Sequence, residues 1–97
     1  MSPNALHNLL DYALQAGASV SVWDGEEWGV KRSTDRVAIL DLVNDLDEAQ
    51  LRFRDIGDKV IGWALIVNGG EPDELVADYG CTPFMEAWNS SFLAFAS

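Results

Sequence analysis

From Ala49 to Val67 apolar side chains return at every second position, first as Leu51 and Phe53, then as Ile61, Trp63, Leu65 and Val67. That period is the period of a strand with one buried face. Two such runs joined by Ile56-Gly57-Asp58 have one natural local structure, an antiparallel hairpin over about residues 49–67. A loop at Ile56-Gly57-Asp58 pairs Phe53 with Ile61 and Leu51 with Trp63. All of these then face the core, and Gln50, Arg52 and Arg54 face away. A slip of one residue would turn every side chain over, so the pairing is a sharp expectation. The other face of the return strand carries Gly62, Ala64 and Ile66, which a central position in the sheet would cover.

A second hairpin is expected over Ala18 to Lys31, around Asp24-Gly25. A two-residue loop would set Val22 opposite Glu27 and mix the faces. A three-residue loop, Asp24 to Glu26, pairs Val22 with Trp28 and Val20 with Val30. In that register Trp28, like Trp63, is a core residue. Trp23 lies beside the loop, out of phase with Val20 and Val22. It is the candidate exposed aromatic, a residue type enriched at interface hot spots.

Helical signals flank both hairpins. Ser2 and Pro3 read as cap and first helical residue, Leu6, Leu9, Leu10, Ala13 and Leu14 repeat at helical spacing, and Gly17 ends the run; the helix spans about 3–16. Ser33, Thr34 and Asp35 offer caps to a helix over about 35–46, with Val37, Leu40, Val43 and Leu46 on its inner side. Pro72 opens a short helical turn reaching about Tyr79. Thr82-Pro83 then begins a last helix, about 83–95, with Phe84, Trp88, Phe92 and Phe95 at helical spacing. The order is α-ββ-α-ββ-α. The expected fold is one α+β domain over residues 1–97, a four-stranded antiparallel sheet from two β-hairpins with packed helices.

Charge adds the functional direction. The formal net charge is −10, from 16 acidic and 6 basic residues. Such a surface repels phosphates, which argues against direct binding of nucleic acid or anionic membranes. It favours partners with basic surfaces. With 48% apolar residues the chain is too rich for a disordered acidic tail. All six bases lie between Lys31 and Lys59. A twelve-residue helix rises about 18 Å and a six-residue strand about 20 Å, so the second helix returns along the whole sheet. Its end, Asp45, Asp47 and Glu48, then meets the first hairpin loop, Asp24, Glu26 and Glu27. Glu71, Asp73 and Glu74 emerge at the same end. These nine carboxylates, with Trp23, form the candidate partner-binding rim. Lys31, Arg32, Arg36, Arg54 and Lys59 go to the opposite end, mixed with Asp35, Asp55 and Asp58.

Catalytic chemistry has little to stand on. His7 is the only histidine, with no nucleophile and acid at a telling spacing. Cys81 is the only cysteine, which precludes an intrachain disulfide and fits a reducing, cytoplasmic setting; it reads as a small thiol that is buried or half-buried. Glu26-Glu27 and Asp47-Glu48 lie on turns with no sugar-stacking groove implied around them. The segment Asn68 to Glu74 has oxygen ligands but lacks the alternation of a calcium loop. No phosphate loop or zinc spacing occurs, and no apolar run approaches a membrane span. The expectation is a non-enzyme without metal or cofactor.

The stretch Val22-Trp23-Asp24-Gly25-Glu26-Glu27-Trp28, followed by a capped helix and a second hairpin in a chain of 97 residues, resembles the small acidic accessory proteins of bacteriophages and mobile elements. Anti-CRISPR proteins and restriction inhibitors that mimic DNA with arrayed carboxylates are among them. The resemblance is one of style and carries over no site residue. It implies an inhibitor in the host cytoplasm whose acidic surface blocks a basic nucleic-acid-binding site on a defence complex, such as a CRISPR effector subunit. Rival expectations are an immunity or antitoxin protein that neutralises a basic toxin, and a structural subunit. Met85, Ala87, Leu93 and Ala94 flank the stripe of the last helix, so a homodimer through that C-terminal helix is a further expectation.

Overall fold

The computed structural model describes residues 4–69 and 75–96. The chain runs α1 (Ala5–Gln15), β1 (Ser19–Trp23), β2 (Trp28–Ser33), α2 (Arg36–Asn44), β3 (Glu48–Arg54), β4 (Val60–Val67), β5 (Val76–Tyr79) and α3 (Pro83–Ala96). The class is α+β as expected, but the antiparallel sheet has five strands, in the order β2-β1-β3-β4-β5. The helical turn expected to reach Tyr79 is instead β5, where Val76 pairs with Ile66 and Tyr79 with Ala64. The reason is the ladder: β4 has a second edge, and burying it requires a strand to take up its free backbone groups. Val67 N donates to Leu75 O at 2.9 Å and Gly80 N to Trp63 O at 3.2 Å, extending the pairing at both ends.

Local chemistry sets the helix starts. Asn4 caps α1 by accepting from His7 N at 2.9 Å. Ser2 and Pro3, the expected cap pair, lie outside the described residues. Asp35 caps α2, accepting from Val37 N at 3.1 Å and Ala38 N at 3.3 Å. Thr82 caps α3 through Met85 N, and its hydroxyl also donates to Ile61 O at 2.7 Å. That second bond ties the helix start to β4.

The three helices cover one face of the sheet. α3 packs on β4, α2 on β1 and β2, and α1 against the other two helices. The core joins Leu6, Leu9 and Leu10 of α1 and Ile39 and Val43 of α2 to Val20, Val22, Leu51, Phe53 and Ile66 of the sheet. Val37, read from its spacing as an inner residue of α2, is 64% exposed.

Both hairpins depart from the expected register. In the first, the loop has four residues, Asp24 to Glu27, and Val22 pairs with Val30 while Trp23 pairs with Trp28. In the second, Leu51 pairs with Ala64 and Phe53 with Gly62, one residue from the expected partners. The connection Asp55 to Lys59 is closed by Asp55 N donating to Lys59 O at 2.9 Å, and by Lys59 N donating to the Asp55 carboxylate at 2.9 Å. A bulge follows Phe53 in the ladder and absorbs the extra residue. The consequence is that β4 buries its small face. A Cβ on Gly62 would stand 2.7 Å from Met85 Cγ, so α3 reaches the strand only because no side chain is there. Trp63, Leu65 and Val67 therefore line the other face, where no helix packs, while Ile61, passed over in the ladder at the bulge, packs against the core beside Pro83 and Phe84. Trp28 and Trp63, expected in the core, are half-buried on that open face.

Candidate functional site

The open face has a regular layout. β1 brings Ser19, Ser21 and Trp23; β3 brings Glu48, Gln50, Arg52 and Arg54; β4 brings Val60, Trp63, Leu65 and Val67. Ser21 is buried because its hydroxyl accepts from Arg32 N at 3.0 Å. Trp23 and Trp28 meet edge to face with centroids 5.2 Å apart. The Arg52 guanidinium lies 4.8 Å from the Trp28 ring centre, a cation–π contact that holds the base in mid-face. Trp63 lies over Gly80, where a Cβ would collide with its indole.

At one end of this face, carboxylates converge. Trp23, Asp24, Gly25, Glu48, Ala49, Gln50 and Leu65 line an open hollow of about 340 Å³. Asp24 comes from the first hairpin loop and Glu48 from the start of β3, side by side because β1 ends where β3 begins: Trp23 pairs with Gln50. Glu26, Glu27, Asp45, Asp47 and Glu48 are exposed. Asn68 N donates to Asp47 O at 2.9 Å, and its side-chain amide donates to Val43 O and Leu46 O at 2.9 and 2.7 Å. The end of α2 and the end of β4 are thereby held at this same edge. Glu71, Asp73 and Glu74 lie outside the described residues.

The loop that carries Asp24 is built by Asp24 itself. Its carboxylate accepts from Glu26 N and Glu27 N, each at 2.8 Å. The bond from Glu27 chiefly, then that from Glu26, holds its pKa below the ordinary 3.8. A carboxylate with a lowered folded pKa contributes stability that is present above the unfolded value and lost as pH falls through the folded one. We expect a carboxyl NMR titration to place the Asp24 midpoint under 3.8, with the Glu26 and Glu27 amide proton shifts moving through that same midpoint as their acceptor is protonated. A midpoint at or above 3.8 would show that the loop is not held this way.

The opposite end is basic and internally paired. Among the described residues the ion pairs are Arg32–Asp58 at 3.1 Å, Arg54–Asp58 at 3.9 Å and Arg36–Asp11 at 2.7 Å. None involves a rim carboxylate. Ser21, Trp28, Lys31, Arg32 and Arg54 line a second open hollow, also about 340 Å³.

Other candidates are placed plainly. His7 is half-buried near the start of α1. Cys81, expected to be buried or half-buried, is exposed, because it precedes the Thr82 cap on a segment that nothing covers. α3 turns Met85, Trp88 and Phe92 inward and leaves Leu93 58% exposed; Phe95 has no described side chain. Among the described residues no three His, Cys, Asp or Glu side chains stand at metal-binding spacing, and no helix is long and apolar enough to cross a membrane. Sequence reasoning missed the open face as a unit. Its signal was the polar series Gln50, Arg52 and Arg54, whose cross-strand partners had to share their exposure. No family model, no curated protein and no solved structure matches this chain.

Proposed function

We propose that this protein is a binding inhibitor whose acidic end occupies a basic, nucleic-acid-binding surface on a defence complex of the CRISPR type. One observation carries the reading. Asp24 and Glu48, from separate segments, line one hollow beside Trp23, and no Lys or Arg among the described residues pairs with a rim carboxylate. Exposed like charges repel one another and weaken the compact state. Carboxylates left in that condition are poised for a partner that supplies the cations, raising association rate and selectivity. The half-buried Trp23 ring adds an apolar wall on which the stem of a Lys or Arg side chain can lie. No catalytic group is assigned.

The test is capture by a purified CRISPR effector at low and high salt. Wild-type protein binds at low salt, is displaced by the effector's own nucleic acid, and weakens as salt screens the charges. Replacing Asp24, Glu26, Glu27, Asp47 and Glu48 by Ala removes five charge pairs, four of them from exposed carboxylates, worth about 0.5 kcal/mol each, on the order of seventyfold in affinity. Undiminished binding by a folded five-residue variant would reject the acidic end as the contact.

A further inference from the structure

We propose that the open face of the sheet is a homodimer interface, in which a second copy of this chain docks face to face with its strands reversed. The inference does not rest on the acidic-end reading, but it uses the same hollow beside Trp23, Asp24 and Glu48, so a second copy and a basic effector would compete for that surface. Five antiparallel strands carry helices on one side only, and the bare side holds Trp23, Trp28, Trp63 and Leu65, all half-buried, with Val60 and Val67 45% and 39% exposed. Two apolar strips, Trp23 with Trp28 and Trp63 with Leu65, thus flank the polar residues of β3, the mixed character of a protein–protein contact surface.

The occupant follows from how charge is ordered along the strands. The pairing of β1, β3 and β4 divides the face into four rows: Glu48 with Val67; Trp23, Gln50 and Leu65; Ser21, Arg52 and Trp63; and Ser19, Arg54 and Val60. A two-fold axis lying in the face, across the strands and between Gln50 and Arg52, exchanges the first row with the fourth and the second with the third. Glu48 of each copy then stands over Arg54 of the other, Gln50 over Arg52, Leu65 over Trp63, and Val67 over Val60. Acid meets base on β3 and apolar meets apolar on β4, while Trp23 of β1 lies over Ser21; each contact occurs twice, as two-fold symmetry requires.

The two hollows agree with the rows. One end offers Asp24 and Glu48, with no cation in its lining. The other offers Lys31, Arg32 and Arg54, with no carboxylate in its lining. At that basic end two guanidinium groups share the single Asp58 carboxylate, so positive charge is left over, and Arg54 Nε has no hydrogen-bond partner. The reversed packing sets each hollow against its opposite. The five strands average six residues, about 20 Å, and at about 4.8 Å spacing give a face of roughly 480 Å². Two such faces come to about the 1,000 Å² at which a specific interface begins.

Sedimentation equilibrium and light scattering of the full chain, from micromolar to millimolar concentration, test this. The expected species has twice the 10.6 kDa mass of one chain. Glu48→Arg alone and Arg54→Glu alone put like charges opposite one another and raise the dissociation constant by about tenfold or more. The double variant restores the wild-type constant, a rescue that a folding defect in either single variant could not produce. Leu65→Glu, with unchanged circular dichroism, gives monomer. A wild-type chain that stays monomeric at millimolar concentration overturns the proposal. So does a folded double variant that fails to regain the dimer, or a dimer that survives Leu65→Glu but is lost in Leu93→Glu on α3. Monomeric behaviour would leave the acidic end and its effector-binding test untouched, so the two readings fail separately.

Discussion

Phe53→Ala is expected to cost about 3–5 kcal/mol, and to fall at the upper end of that range for truncation of a buried aromatic. Phe53 is fully buried in the central strand, between Val20 on β1 and Gly62 on β4. Its ring meets Phe84 at 5.7 Å, and Phe84 in turn meets Tyr12 at 5.0 Å. The cost depends on whether neighbours can collapse into the space. Here one cross-strand neighbour is Gly62, which has no side chain to move. Met85 is already packed where the Gly62 Cβ would be. Domains of this size have about 5–15 kcal/mol in all, so the variant should be marginal or unfolded at room temperature. Urea unfolding followed by circular dichroism measures it. A loss below about 1.5 kcal/mol, typical of tolerated volume-conserving swaps, would mean that the Phe53–Gly62 register is wrong.

Trp88→Ala should cost about as much, on the order of 3–5 kcal/mol, for a different reason. Trp88 is 2% exposed and joins α3 to the rest of the molecule. It stacks on Phe92 at 5.4 Å, meets Tyr79 of β5 edge to face at 6.0 Å, and donates from Nε1 to Asn8 Oδ1 on α1 at 2.8 Å. Truncation thus removes a large apolar surface and leaves the Asn8 amide oxygen without its donor. Trp88→Phe separates these effects: it keeps most of the ring packing and loses the hydrogen bond, for about 1–2 kcal/mol. Trp63→Ala is the contrasting variant, because Trp63 is half-buried on the helix-free face and its removal opens no closed cavity. Thermal unfolding of the three variants should rank Trp88→Ala as the most damaging. Equal losses in Trp88→Ala and Trp63→Ala would place Trp63 in the core after all.

The same comparison shows where sequence patterns carry and where they stop. Asp35 and Thr82 were legible as caps because a side-chain oxygen before a helical run has one purpose, to accept the unpaired amides of the first turn. Asp24 and Glu48 could be brought together from element order and length alone, and they line one hollow. β4 was not legible in this way. Ile61, Trp63, Leu65 and Val67 are the larger apolar set, yet Gly62, Ala64 and Ile66 are the buried one. The polar residues of β3 decide the matter from the neighbouring strand: whichever β4 residues pair with Gln50 and Arg52 must share their face. β5 was hidden for a related reason. Four residues, Val76 to Tyr79, show too little alternation to announce a strand, and only the free edge of β4 makes one of them.

Residue order by itself determined the α+β class, the two hairpin segments, the Asp35 and Thr82 caps and the approach of Asp24 to Glu48, because each depends on spacing, capping or strand direction. Tertiary structure alone decided which face of β4 is buried and that a fifth strand closes its edge. Both faces of that strand are apolar, so periodicity cannot choose between them. The choice falls to a one-residue bulge after Phe53 and to the close seat that Gly62 offers Met85 of α3, and neither exists until strand and helix are in contact.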